Sequence, residues 1–237
     1  MIDIDSVYQK VLTMANKEQR GYITPQEFNL LADKAQLDIY SGYFHDIKTA
    51  HIKQTKNQSG IPFDGIDMIE EKLHPFKTST TFVQEAGDAT FEWPNNIYSI
   101  DVLLQGGIEV TEMSKKEIAY TQNNPLTAAT TNRMIYVRES QLMTNNGIST
   151  LYPTPTTNTT FELHYYKEPH APNWGYVIIN EKALYNSAAS VNFELHVSEE
   201  EAVVIRILEL AGVVIRSPEL AQAAMVDKGN ILKQQND

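Results

Sequence analysis

His74-Pro75-Phe76-Lys77-Thr78-Ser79-Thr80-Thr81-Phe82-Val83 is the stretch at which the chain changes its hydrophobic period. On its upstream side, Asp64 to Leu73 reads as a short helix. His74-Pro75 closes it, because the residue before a proline is pushed out of helical geometry. From Thr78 onward, Thr, Val, Ile, Phe and Tyr come in short runs divided by Gly, Asn and Pro, which is how strands and their turns read. A helical first third therefore passes into a β-rich middle.

Working back toward the N-terminus, Ile4, Val7, Tyr8, Val11, Leu12 and Ala15 recur at spacings of three and four, so they share one helix face. Gly21-Tyr22-Ile23-Thr24-Pro25-Gln26-Glu27 is a helix start. Thr24 can cap the free amides, Pro25 suits the first turn, and Glu27 can reach back to the cap. Behind it Phe28, Leu31, Ala35, Leu37, Ile39, Tyr43, Phe44 and Ile47 continue an apolar stripe to about His51, with Gly42 as the point where the helix can bend. The polar run Lys53 to Ser59 separates it from the third helix.

Working forward, Ile97–Leu104 and Ile108–Met113 flank Gln105-Gly106-Gly107, and Gly-Gly accepts the positive φ angles of a tight hairpin turn. Arg133–Val137 and Ile148–Tyr152 form a second pair across Asn145-Asn146-Gly147. Phe161–Tyr166 and Val191–Val197 alternate as half-buried strands do. Thr121 to Asn132 and Pro153 to Thr160 are rich in Thr, Asn, Pro and Ala and read as loops at the edge of the β part. Ser198-Glu199-Glu200-Glu201 is a second capping box. The helix after it, from Ala202 to Ile215, is apolar enough to be buried on most sides. Ser217-Pro218-Glu219 starts a last helix, Leu220 to about Leu232. The expected fold class is α+β, with N-terminal and C-terminal helices forming one bundle around an inserted antiparallel β-rich domain. The expected boundaries are 1–77 for the N-terminal helical part, 78–197 for the β-rich domain and 198–237 for the C-terminal helices.

Composition narrows the function. Of 237 residues, 42% are hydrophobic, enough to fill a core without disulfides or metal. The net charge of −11 opposes phosphate tracking, since affinity for nucleic acid comes mainly from Lys and Arg. The chain has no cysteine, which removes disulfides, thiolate metal sites and thiol nucleophiles. Met1-Ile2-Asp3-Ile4-Asp5 does not read as a signal peptide and no apolar run has membrane-spanning length, so the expectation is synthesis and use in the cytoplasm, with no membrane partner.

The candidate chemistry is sparse. Gly106-Gly107 lacks the downstream Gly-Lys-Ser/Thr of a phosphate loop. The histidines at 45, 51, 74, 164, 170 and 196 are scattered, without the helical i, i+4 pairing of a zinc site. Glu70-Glu71 and Glu199 to Glu201 sit where solvated or helix-capping carboxylates belong. No catalytic residue, metal site or cofactor is expected. Tyr165, Tyr166, Trp174 and Tyr176 supply aromatic faces that could stack on a sugar, although Tyr165 and Tyr166 point to opposite sides of a strand. Leu220, Met225, Ile231 and Leu232 lie on the weakly amphipathic last helix and are candidate partner-docking residues.

Asn16-Lys17-Glu18-Gln19-Arg20-Gly21-Tyr22-Ile23-Thr24-Pro25-Gln26-Glu27-Phe28-Asn29, followed by Ala32-Asp33-Lys34-Ala35-Gln36, resembles the N-terminus of virion structural proteins in phages of marine and gut Bacteroidetes, including crAss-like phages. Most of the remaining chain is similar in outline to connector or ring subunits. The β-rich middle carries Ile108-Glu109 and Asn124-Pro125-Leu126-Thr127. Leu163-His164-Tyr165-Tyr166-Lys167-Glu168-Pro169 and Pro172-Asn173-Trp174 follow, ahead of the terminal helices. The resemblance implies a head-to-tail connector (tail adaptor) protein of the virion, not an enzyme, that assembles as a homo-oligomeric ring, often twelvefold. Its implied partners are the portal protein and downstream tail ring or tube proteins, with DNA passing through without sequence-specific binding. It supplies no functional residues precise enough to carry across. A phage receptor-binding or decoration protein with a glycan-binding β domain is the alternative expectation.

Overall fold

The computed structural model describes residues 1–17, 23–56, 63–139, 148–180 and 182–212. The fold is mixed α+β with sheets that are antiparallel apart from one short pair. The chain divides into two units, one made of residues 1–75 with 169–237 and the other of 76–168. The sequence reading runs the β-rich part on to 197. Residues 169–197 group instead with the helices, because their apolar side chains complete the helical core.

In the first unit, α1 (Ile4–Lys17) buries Ile4, Val7, Tyr8, Val11 and Ala15 on one face, as its spacing dictates. α2 (Pro25–Lys56) begins at the expected capping box. The Glu27 amide donates to Thr24 Oγ1 at 3.3 Å while the Thr24 amide donates to Glu27 Oε2 at 3.0 Å. It runs through Gly42 and buries Phe28, Ala32, Ala35, Gln36, Tyr40 and Tyr43. α3 (Phe63–Leu73) ends in a 3-10 turn at His74–Phe76, where the proline was expected to stop it.

In the second unit, β1 (Lys77–Gln84), β3 (Ile97–Gln105), β4 (Ile108–Glu109) and β8 (Thr159–Lys167) make a sheet in the order β1-β8-β3-β4. A second sheet runs β2-β7-β6-β5, from β2 (Thr90–Glu92), β7 (Ile148–Tyr152), β6 (Ile135–Glu139) and β5 (Thr111–Glu112). Gly106 and Gly107 turn the β3–β4 hairpin with φ of 56° and 83°, a pair that disfavours any side chain. The expected strand Ile108–Met113 is split between the two sheets. Val110, buried, donates back to Leu103 at 2.8 Å, and β5 then lies parallel to β6. Between the sheets sit Phe91, Trp93, Leu103, Val110, Met134, Tyr136, Leu151, Phe161, Leu163 and Tyr165, a sandwich core.

A helix that the sequence reading does not contain, α4 (Lys115–Gln122), starts at a complete capping box of Ser114 and Glu117. Its Ile118 joins Ile135 and Val137 on the other side of the β6 sheet, so β6 is buried on both faces. The expected loop Thr121–Asn132 thus begins inside a helix and continues as turns.

Three further expectations are corrected. Val191–Val197 is not a regular strand: the alternation is real, with Phe193 and Leu195 buried. The backbone, however, makes only isolated bridges, Phe193 with Ile2 and Val191 with Asn173. A hairpin, β9 (Tyr176–Ile179) with β10 (Lys182–Tyr185), occupies the stretch before it. Ser198 does not cap α5 (Glu200–Leu210). The His196 ring accepts the Ser198 amide at 3.3 Å, a 3-10 turn intervenes, and Glu199 stands at the helix start without a side-chain cap bond. α5 is buried on one face, by Val203, Val204, Ile207 and Leu208, and leaves Ile205 exposed; it ends at Leu210, before Gly212 at φ 70°. The expected continuation to Ile215 and the last helix from Leu220 lie outside the described residues.

Candidate functional site

α5 packs against α1 and α2, and charged groups fasten each contact. Glu200 accepts from Lys10 Nζ and Ser6 Oγ, both at 2.8 Å, and Arg206 donates to Asp38 at 2.7 and 3.1 Å and to Glu209 at 3.0 Å. Lys72 pairs with Glu199 at 2.7 Å. The acidic triplet that heads α5 is therefore used for ion pairs in two of its three members, Glu199 and Glu200. Gln36, fully buried, ties the irregular segment 169–197 to α2. Its amide donates to the His170 carbonyl at 2.8 Å, and its carbonyl accepts from the Glu194 amide at 3.1 Å, so both ends of a costly buried polar group are satisfied.

The hydrogen bonds from Lys10 and Ser6 hold the Glu200 carboxyl below its ordinary value of 4.5. A carboxylate with a depressed folded value stabilises the fold above its unfolded value, and that contribution is lost as the pH falls through the folded one. Glu200→Gln is therefore expected to cost about 1 kcal/mol or less at neutral pH, as partly exposed ion pairs do. That difference should begin to shrink as the pH falls below about 4.5 and vanish below the lower folded value. Denaturant unfolding of both proteins at pH 7 and pH 3 checks it; an equal difference at the two pH values would contradict the assignment.

Tyr43 is the one buried side chain whose polar atom lacks a hydrogen-bond partner among the described residues. Burial first, and the Glu199 charge second, raise its hydroxyl far above the usual phenol range, and Lys72 Nζ lies 5.9 Å from the ring centre. Both effects favour the neutral phenol over the phenolate. Because an unpaired buried hydroxyl carries a desolvation penalty, Tyr43→Phe is expected to raise stability by about 1 kcal/mol. Thermal unfolding would show it, and a loss of that size would mean the hydroxyl is used.

The four aromatic residues considered for a glycan fall in different units. Tyr165 is a sandwich-core residue whose hydroxyl donates to Asn96 at 3.1 Å. Tyr166 points to the opposite face of its strand, with Lys77 Nζ 5.8 Å from its ring centre. Trp174 is buried in the helical unit. It lies 4.2 Å from Tyr8 and 5.8 Å from both Tyr176 and Tyr185, ring centre to ring centre, and its indole donates to Asp5 at 2.9 Å. The indole face expected to receive a sugar is covered by protein. Three of the six histidines are likewise engaged locally: His164 with Glu162 and His170 with Glu194, each at 3.1 Å, and His196 at its turn.

No family model matches this chain, and no curated protein matches it. Function has to be read from the surface. Among the described residues no cluster of three or more His, Asp or Glu side chains is arranged to hold a metal, and no helix is long and apolar enough to cross a membrane. The docking candidates Leu220, Met225, Ile231 and Leu232 lie outside the described residues. What the surface does offer is apolar. Tyr120 on α4 and Leu126 in the following turn are 71% and 89% exposed, and the β9–β10 hairpin exposes Val177, Ile178, Ile179 and Leu184. Sequence reading gave 121–132 as a loop, in which Leu126 lies, but missed the hairpin. The available signal was Val177-Ile178-Ile179 and Ala183-Leu184-Tyr185 around the turn formers at Asn180.

Proposed function

We propose that this chain is a non-enzymatic structural subunit of a tailed-phage virion, a head-to-tail connector (tail adaptor) protein that assembles as a ring of its own copies. The observation that carries the reading is the apolar surface left in water on ordered elements of each unit, Tyr120 and Leu126 in one and the β9–β10 hairpin in the other. Large apolar side chains left exposed on a folded surface are what an assembly subunit presents to its neighbours. The resemblance of residues 16–36 to virion proteins points to the kind of assembly.

In this reading α1, α2 and α5 form the helical bundle that meets the portal protein, and the sandwich faces the downstream tail ring or tube proteins. The net charge of −11 suits a channel wall along which DNA slides without being gripped. Negative-stain microscopy of the purified protein with and without the portal protein of the same phage tests the proposal. Rings, or added density on the portal, are the expected result; failure to associate with the portal or with any other neck component would count against it.

A further inference from the structure

Residues 174–190 build an arm. At its root, Trp174 is held by Asp5 through the indole, by Asn29 through the backbone amide at 2.8 Å, and by Tyr8, Tyr176 and Tyr185 through ring contacts. Gly175 fits against the Ala189 backbone so closely that a Cβ there would stand 2.6 Å from the Ala189 carbonyl carbon. The Asn186 amide closes the root on the Gly175 carbonyl at 2.8 Å. The base is fixed.

The tip is different. Val177, Ile179 and Leu184 share one face of the hairpin and Ile178 lies on the other, since successive side chains alternate and Val177 pairs with Leu184. Their exposures are 47%, 51%, 50% and 68% in that order, so both faces are uncovered. No third described strand pairs with either edge. A two-stranded ribbon is at best marginal in water by itself. Here the root supplies order while the tip leaves on the order of 400 Å² of apolar surface exposed, summed over its two faces. That is about half of the ~800 Å² that one partner contributes to a stable complex.

We propose that the β9–β10 hairpin is an assembly arm that packs its two-faced apolar tip onto a second copy of this chain. Charge narrows the choice of partner. Copies that each carry −11 repel across most of their surface, whereas Tyr176 to Tyr185 contains one acid, Glu181, and one base, Lys182. Nucleic acid and anionic lipid would instead demand a cluster of basic residues that the arm lacks. The same unit also leaves Leu30 and Val197 exposed, so each copy brings apolar contacts besides its arm. The contact is heterologous, arm to a different surface, as a ring requires. It deepens the ring reading and rests on that reading for the choice of an identical copy over another acidic protein.

Because the chain has no native cysteine, Ile179→Cys supplies a single thiol for a benzophenone maleimide on the full-length protein. The expected result is photo-crosslinked dimers of this chain that map from the arm to a second copy. In sedimentation velocity, Ile178→Asp with Leu184→Asp should weaken self-association at least tenfold while the far-UV circular dichroism stays unchanged. Crosslinks confined within one chain, self-association of the double variant equal to that of the wild type, or a wild type that stays monomeric over the concentration range would each overturn the arm. If the double variant fails to fold, the crosslink decides. Any of these failures leaves the virion reading to stand or fall on portal association.

Discussion

Trp174→Ala is expected to lower the stability of the helical unit by about 4 kcal/mol, the cost of emptying a buried indole site, which is on the order of 10 °C in melting temperature. The side chain is 2% exposed and joins α1, α2 and the hairpin root. Its removal also leaves Asp5 without the indole donor, which adds a desolvation term. Denaturant unfolding followed by helical circular dichroism measures the loss. Emission from Trp93, the other of the two tryptophans and a core residue of the sandwich, should change little, because each unit has its own core. A variant as stable as the wild type would mean that Trp174 is not the root of the arm.

Trp93→Ala should be comparably severe in the sandwich. The Trp93 ring lies 4.8 Å from Phe91 and 5.6 Å from Tyr136, with the Arg138 guanidinium 5.8 Å from its centre. Its indole donates to Ser149 Oγ at 2.8 Å, and Ser149 is itself fully buried. Truncation therefore combines a cavity, about 3–5 kcal/mol, with the loss of the donor that faces a buried hydroxyl. Trp93→Phe separates the two effects: it refills most of the volume and should cost about 1–3 kcal/mol for the hydroxyl. Calorimetry of the three proteins provides the ranking, and a Trp93→Phe variant as unstable as Trp93→Ala would show that the indole bond outweighs the packing.

Where the sequence was legible, one physical signal dominated. The stripe Ile4, Val7, Tyr8, Val11, Ala15 has no rival reading, and neither does the Thr24–Glu27 box or the Gly106-Gly107 turn, where two successive positive φ angles favour glycine. Legibility failed where two signals competed. Ser114 and Glu117 spell a capping box as plainly as Thr24 and Glu27 do, but α4 buries only Ile118, so it lacks the apolar stripe by which a helix is noticed. At Ser198 the box is spelled too, yet His196 takes the Ser198 amide first.

Val191 to Val197 shows that alternation reports which side chains are buried, not whether the backbone joins a ladder: Phe193 and Leu195 point into the helical core from an irregular segment. The candidate site suffered from a related ambiguity. Aromatic residues serve a core and a binding face equally well in sequence, and Tyr165 and Trp174 turned out to be core. The exposed tip of the hairpin, by contrast, consists of Val, Ile and Leu, residue types whose ordinary place is inside. Only the fold reveals that they are outside.

The central claim is that this chain works as a built-in part of a phage particle. Quantitative mass spectrometry of purified, DNA-filled particles of the phage that encodes it is the most direct test. The account predicts peptides of this chain in the particles, at a copy number per particle matching the symmetry of a portal-bound ring. Particles that are complete and infectious yet contain none of it would contradict the account.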